Sequence, residues 1–431
     1  MILLKQPYLI HLEHSDRVEC PIVVDGKETP VWFEVSKEYG KYLTYERSDG
    51  FLIGILPIAI RKHHDIVCEA PVTEELLYQI RTYLLPSLVK YGNNLYESSI
   101  TAETASALEN AGGVGAGCSC GVDSFHVIEN CLHSEYPHMN LTHLTFFNVG
   151  AFCGIYKEAG IDKVRNERRI KAEECAKELG IPIIITDSNY QSAFIQSHLR
   201  THTFSSVFSV YMLQKLWKVY YYGSSGYDFS CFSLFNNEDN DAALYELLSL
   251  DCFSTNKLKI YSEGGAEDRY EKQEKIADNT LAQKYLHVCM KNYYNCNLCE
   301  KCRRTLLAFD AMGKLDHFSL VFDVKYYKQH RREYLEYACQ EWYVKRNVYY
   351  KEICEKLSSD PDMREIAKMY RPAKSAQKGL HGHDQELERK YREALLEIQN
   401  IRSSKTYRYA NTLFFIPKKI YQFLKKRNHL S

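Results

Sequence analysis

The residues 117–124, Gly117-Cys118-Ser119-Cys120-Gly121-Val122-Asp123-Ser124, have the types and spacing of an anion-gripping turn. The small residues at 111–116 precede them and suit a short buried strand, and 125–132 (FHVIENCL) reads as the first turns of a helix. A strand, a small-residue turn and a helix N-terminus aim backbone N–H groups and the positive end of the helix dipole at a phosphate. Only small residues let the backbone come that close. Ser119, Cys120, Gly121, Val122, Asp123 and Ser124 are therefore the candidate phosphate-binding residues, with Asp123 as a metal-facing carboxylate and Ser124 adding a donor. No Gly-Lys-Ser/Thr follows, so the turn is not a Walker A loop. The plainer reading is a tight turn ahead of a core helix.

A second cluster lies at 289–302. Cys289, Cys296, Cys299 and Cys302 have the spacing C-x6-C-x2-C-x2-C. Four thiolates from one short segment are the usual recipe for structural zinc. Iron–sulfur is the competing reading. Asn295, Asn297 and Lys301 suit the turns needed to bring the sulfurs together. The other cysteines are scattered and read as small buried hydrophobes.

These residues need a scaffold, and the chain is long enough for one. Its 431 residues imply two or three domains. Hydrophobic content of 45% and charged content of 26% are ordinary for a globular protein. The net charge is zero, so no global field recruits nucleic acid or membrane. No apolar run spans a bilayer and the N-terminus has no signal-peptide core. The 15 cysteines then read as cytosolic thiols or metal ligands, and a cytoplasmic location is expected.

Residues 1–105 read as a separate α+β domain. Strands are expected at 8–14, 18–24, 31–35, 51–56 and 65–68, with a tight turn at Asp25-Gly26. A helix over 73–91 is expected to kink or end at Pro86. From 106 the pattern alternates strand and helix: strands at 141–148, 182–186, 217–222 and 258–261, helices at 166–179 and 204–215. That alternation predicts a doubly wound parallel sheet, with ligands bound outside the carboxyl ends of its strands. The segments 119–124, 148–150, 187–189 and 223–226 fall at such ends, which adds Asn148 and Gly150 to the candidate site. After the cysteines come a helix at 303–313 and a helical extension, 317–372. Residues 373–431 follow as a linker (373–383), a helix (384–402) and a basic amphipathic segment (412–427). That last segment suits an anionic membrane surface or docking on its own protein equally well.

The loop resembles the PP-loop of ATP pyrophosphatases, Ser-Gly-Gly-x-Asp-Ser, with Cys120 in place of one glycine. The four-cysteine cluster about 165 residues later makes residues 110–316 similar to the 7-cyano-7-deazaguanine synthase group, with asparagine synthases as relatives. Residues 272–279 (KQEKIADN), His287-Val288-Cys289 and Ala308-Phe309 fit that group as well. Thr305 stands where the group usually has arginine, and only the faintly similar 226–231 matches its deazaguanine-binding segment. The resemblance implies a sheet of the HUP type found in PP-loop proteins, with ATP, Mg²⁺ and Zn²⁺ as cofactors.

The implied activity is adenylate-forming: a ligase or amidotransferase that joins a substrate carboxylate or carbonyl oxygen to AMP and releases pyrophosphate. Asp123, Ser124 and Lys275 are the implied catalytic residues, with Lys272 and Arg269 as further candidates for the phosphates. The substrate would be a small molecule or a protein terminus, in a modification, antiviral-defence or surface-polysaccharide pathway. Two other readings remain: a non-catalytic nucleotide-binding scaffold with a degenerate loop, and a tRNA-type sulfurtransferase, against which the zero net charge argues. Cys120 is either a small residue substituting for glycine or a sulfur-carrying thiol.

Overall fold

A computed structural model of the chain describes residues 1–150, 161–194, 197–224, 229–235, 237 and 239–370. The chain divides into two compact units, Met1–Arg364 and Glu365–Ser431. The expected linker 373–383, helix 384–402 and basic segment 412–427 lie outside the described residues.

Thirteen strands occur among the described residues: β1 (Ile2–Leu4), β2 (Tyr8–His11), β3 (Ser15–Val24), β4 (Lys27–Ser36), β5 (Ile66–Cys68), β6 (Val72–Thr73), β7 (Ile100–Thr101), β8 (Thr104–Ala105), β9 (Gly113–Gly117), β10 (His143–Asn148), β11 (Ile183–Ser188), β12 (Trp217–Gly223) and β13 (Lys259–Glu263). Eleven form one sheet in the order β13-β12-β9-β10-β11-β4-β3-β1-β5-β7, with β2 also on β3. β13, β12, β9, β10 and β11 run parallel. β4 then joins β11 antiparallel, with Glu34 opposite Asp187. Residues 1–105 thus extend the parallel sheet edge to edge, and the sheet runs without a break through the expected boundary.

The helix Val122–Cys131 packs on β9 and β12, and Ile161–Leu179 packs on β10 and β11. After β11 the chain crosses back to β12, on the far side of β9. Right-handed crossovers place the helix of this return, His198–Met212, on the opposite face, where Asp49–Lys62 packs against it. The protein is therefore α/β with a mostly parallel central sheet, an arrangement compatible with a doubly wound fold. The change of direction makes the carboxyl-end crevice between β9 and β12 the topological switch point.

One expectation fails locally. Residues 51–56 lie inside the helix Asp49–Lys62 and form no strand. Every residue from Asp49 to Ile60 is buried, so the segment is apolar on all sides and shows no helical period by which to distinguish it from a buried strand. Around Pro86 the 73–91 helix is irregular but continues. A π-helical turn, Ile80–Leu84, lies between Glu74–Gln79 and Leu85–Tyr91 and carries the chain past it. The turn at Asp25-Gly26 holds, with positive φ at both residues.

Two of the three glycines of β9 are there for packing. A Cβ on Gly115 would sit 2.7 Å from the Trp217 ring, and one on Gly113 would sit 2.9 Å from the Leu216 carbonyl oxygen. Gly117 is open, with Tyr220 Oη at 3.9 Å as its nearest contact. The small-residue run thus lets a fully buried tryptophan lie flat against the central strand.

Candidate functional site

The loop leaves β9 at the switch point and enters the helix Val122–Cys131 through Gly121. Cys118 stays tied to the sheet, its N–H donating to the Thr145 carbonyl at 2.8 Å. The Ser124 hydroxyl accepts from Ser119 N–H at 3.0 Å and meets Ser119 Oγ at 2.9 Å. Gly121 is the N-cap residue and no side chain caps the first turn. The first-turn amides are therefore available to an anion, which the helix dipole favours.

Cys120 takes φ +55°. A side chain in this left-handed region costs about 1–2 kcal/mol, which glycine would avoid. The residue is 1% exposed, and its thiol faces the buried sulfurs of Cys118 and Cys175. Two contacts clamp the turn from outside: the Cys120 carbonyl accepts from His287 N–H at 2.8 Å, and the Ser119 carbonyl accepts from Arg168 Nη2 at 3.1 Å.

Cations gather on Asp123. Arg269 Nη1 lies 3.0 Å from Oδ1 and its Nη2 lies 3.2 Å from Oδ2, while Lys272 Nζ is 3.9 Å from Oδ1. Burial pushes this carboxyl up, but Arg269, Lys272 and Lys301 outweigh it and hold it below the usual range. Desolvation, then the like charges of Arg269 and Arg304, push the Lys301 ammonium down to about 8, although its side chain reaches solvent. Lys272 is fully buried and also reaches the Ser224 carbonyl at 3.4 Å.

Lys275 is placed elsewhere. It pairs with Glu267 and reaches Asn130 Oδ1 at 3.3 Å. Of the three cations considered from sequence, Arg269 and Lys272 are thus the two that meet Asp123. Glu267 also holds the buried His126 of the loop helix. Burial pulls His126 below its ordinary value, with Glu267 opposing. Gly264 (φ +80°) makes this packing possible, since a Cβ there would lie 2.7 Å from His126 Nδ1.

Asn148 and Gly150 lie at the end of β10, as expected. Asn148 Nδ2 donates to Asp187 Oδ1 at 2.6 Å, joining two strand ends. Gly150 has φ +117°, and a Cβ there would meet Gln191 Oε1 at 2.6 Å. Beside them a cleft of about 710 Å³ opens, with Glu34, Asn148, Arg165, Arg169 and Asp187 in its wall.

The four cysteines come together as their spacing predicts. The Sγ atoms of Cys289, Cys296, Cys299 and Cys302 all lie within 4.8 Å of one another. Asn295 shapes the turn, accepting from Val288 and Cys289 N–H and donating to the Leu286 and Val321 carbonyls. Asn297 takes φ +61° and donates to the Asp323 carbonyl at 2.7 Å. The N–H groups of Lys291 and Asn292 point at Cys289 Sγ, and that of Cys299 points at Cys296 Sγ, each at 3.3 Å. Hydrogen bonds from Cys299 and Cys302 push Cys289 down to about 3, and one from Cys302 pushes Cys296 down to about 6; Cys302 is itself pushed up. Four converging sulfurs with N–H donors aimed at them form a cluster that can hold a metal ion such as zinc.

Arg303 and Arg304 stand over the Tyr337 and Tyr349 rings at 4.5 and 4.1 Å, which ties them to the helical extension. Arg168 and Lys301 are the site residues that sequence reasoning missed. Both belong to charged helical stretches in which nothing separates a loop-facing cation from a solvated one. Comparison of the chain with family models, curated proteins and solved structures yields no match.

Proposed function

We propose that the chain is an ATP-dependent, adenylate-forming ligase or amidotransferase of the PP-loop type, similar to the 7-cyano-7-deazaguanine synthases. One observation carries this reading: an uncapped helix N-terminus at the switch point, with the Ser119 and Ser124 hydroxyls in its turn and the cations Arg269 and Lys272 gathered on Asp123. In the reaction a substrate oxygen attacks the α-phosphorus, the bond to the bridging oxygen breaks, and pyrophosphate leaves with its electron pair. An amine or ammonia then displaces AMP. What the protein must supply is stabilisation of the leaving pyrophosphate. The loop amides and Ser119 would hold it, and Arg269 and Lys272 would balance its charge. Asp123 would hold Mg²⁺ once Arg269 turns from the carboxylate to the phosphates. The cleft beside Asn148, lined by both acidic and basic side chains, would take the second substrate.

Zinc on Cys289, Cys296, Cys299 and Cys302 would act at one remove. It would fix the segment whose His287 N–H holds the Cys120 carbonyl, and so would hold the loop in shape. A location in the cytoplasm, with or without membrane contact through 412–427, belongs to this proposal. No helix among the described residues is long and apolar enough to cross a membrane.

The Asp123–Arg269 contacts favour a second reading, a nucleotide-binding scaffold without catalysis, because an arginine already pairs with the carboxylate. Pyrophosphate exchange into ATP, measured with pools of candidate carboxylate substrates, separates the two. Exchange that disappears in Asp123→Ala supports the ligase. Retention of full exchange in that variant would remove Asp123 from the mechanism.

A further inference from the structure

A second group of sulfurs lies directly beneath the loop. The Sγ atoms of Cys118, Cys120 and Cys175 all lie within 4.8 Å of one another, and all three residues are buried. We propose that they form a three-sulfur site for a thiophilic metal cation, distinct from the four-cysteine cluster and independent of the nucleotide reading.

The three thiols come from three segments: the end of β9, the loop, and the helix Ile161–Leu179. Trigonal or tetrahedral coordination at ~2.3 Å per sulfur needs S···S separations of roughly 3.8–4.0 Å. The three sulfurs, all within 4.8 Å of one another, are close enough to share one ion. No carboxylate or imidazole belongs to the group, and an all-sulfur set selects Zn²⁺, Cd²⁺ or Cu⁺ over Mg²⁺ or Ca²⁺.

The backbone argues in the same direction. At φ +55° glycine would be free of strain, yet a cysteine is used and its thiol is turned in toward the other two. The carriers are held by independent bonds, Cys118 N–H to Thr145 and the Cys120 carbonyl to His287 N–H. Arg168 and Lys171 both act electrostatically on Cys120, so cations are at hand to balance three thiolates around one ion. Ser119, between the two loop ligands, is exposed, so the buried thiols lie next to the surface along the chain. His287 lies two residues before Cys289, so the turn would be fixed by metal on both sides.

The test is anaerobic titration of the reduced full-length chain with Cd²⁺, following the cadmium–thiolate charge-transfer absorption. The double variant Cys296→Ser/Cys299→Ser and the single variants Cys175→Ala and Cys120→Gly each leave only two sulfurs at one site and should each bind one equivalent fewer than the wild type, and Cys296→Ser/Cys299→Ser combined with Cys120→Gly should bind two fewer. Glycine suits the left-handed position, so Cys120→Gly keeps the test decisive if Cys175→Ala does not fold. A Cys120→Gly variant that binds as many equivalents as the wild type overturns the proposal.

Discussion

The substitution Gly115→Ala tests why a run of glycines precedes the loop. The added Cβ would lie 2.7 Å from the Trp217 ring, whereas ordinary contact begins at 3.4 Å, so the ring would have to retreat by 0.7 Å. It has little room to do so. Trp217 is fully buried, with His143 and Tyr220 edge-on to it at 5.8 and 5.7 Å. The strand cannot yield either, because Gly115 is paired with His143 on one side and Tyr220 on the other. Overpacking of this kind costs about 1–3 kcal/mol, and alanine regains about 0.4–1 kcal/mol by restricting the unfolded chain. The expected net loss is about 0–2.6 kcal/mol, centred near 1.3 kcal/mol. Gly117→Ala is the control: with its nearest contact at 3.9 Å, it should be neutral or stabilising by about 0.5 kcal/mol. Urea unfolding followed by tryptophan fluorescence should place the Gly115→Ala midpoint clearly below that of Gly117→Ala at unchanged slope. Equal midpoints would refute the packing argument and leave the glycines to be explained by the loop alone.

Three other outcomes follow from the site. Arg269→Ala and Lys272→Met should each weaken Mg-ATP binding by roughly 10- to 100-fold, the equivalent of one charge-assisted hydrogen bond; Lys275→Ala should leave it within about 2-fold, since that side chain is held by Glu267 and Asn130. His126 sits below its ordinary value in the folded protein, so acid protonates the unfolded chain first; its contribution is intact above about pH 6.5 and is lost as the pH falls below it. The stability difference between His126→Gln and the wild type should therefore depend on pH below that point and be constant above it, as urea midpoints at several pH values would show. Chelator treatment, or the double variant Cys296→Ser/Cys299→Ser, should release zinc measurable by elemental analysis and should lower the thermal midpoint, because a structural metal stabilises its folded segment.

The loop and the four cysteines are legible in the sequence because each is a local pattern. Ser119 to Ser124 must be small and contiguous to expose amides, and x2 spacings bring sulfurs together within one turn or two. The alternation after residue 106 likewise announces the parallel strands. The edge-to-edge union of β11 with β4 is not legible, since it joins Asp187 to Glu34 across more than 150 positions and no short pattern encodes that pairing. The helix Asp49–Lys62 was hidden by its burial on all sides. Lys272 and Lys275 are alike in sequence, and the fold decides between them by turning Arg269 and Lys272 toward Asp123. Cys175 is the subtlest case. It shares an apolar face with Ala172 and Ala176, so its helical spacing reads as core, and only the fold reveals two other thiols opposite it.

The central claim is that residues 118–124 grip the phosphates of a nucleoside triphosphate. Calorimetric titration with the Mg²⁺ complex of an ATP analogue that cannot be cleaved between the α- and β-phosphates measures this without knowledge of the second substrate. One site per chain is predicted, weakened at least 10-fold in Arg269→Ala, where a charge-assisted hydrogen bond is lost. Absence of binding to the wild type, or affinity unchanged in that variant, would contradict the account.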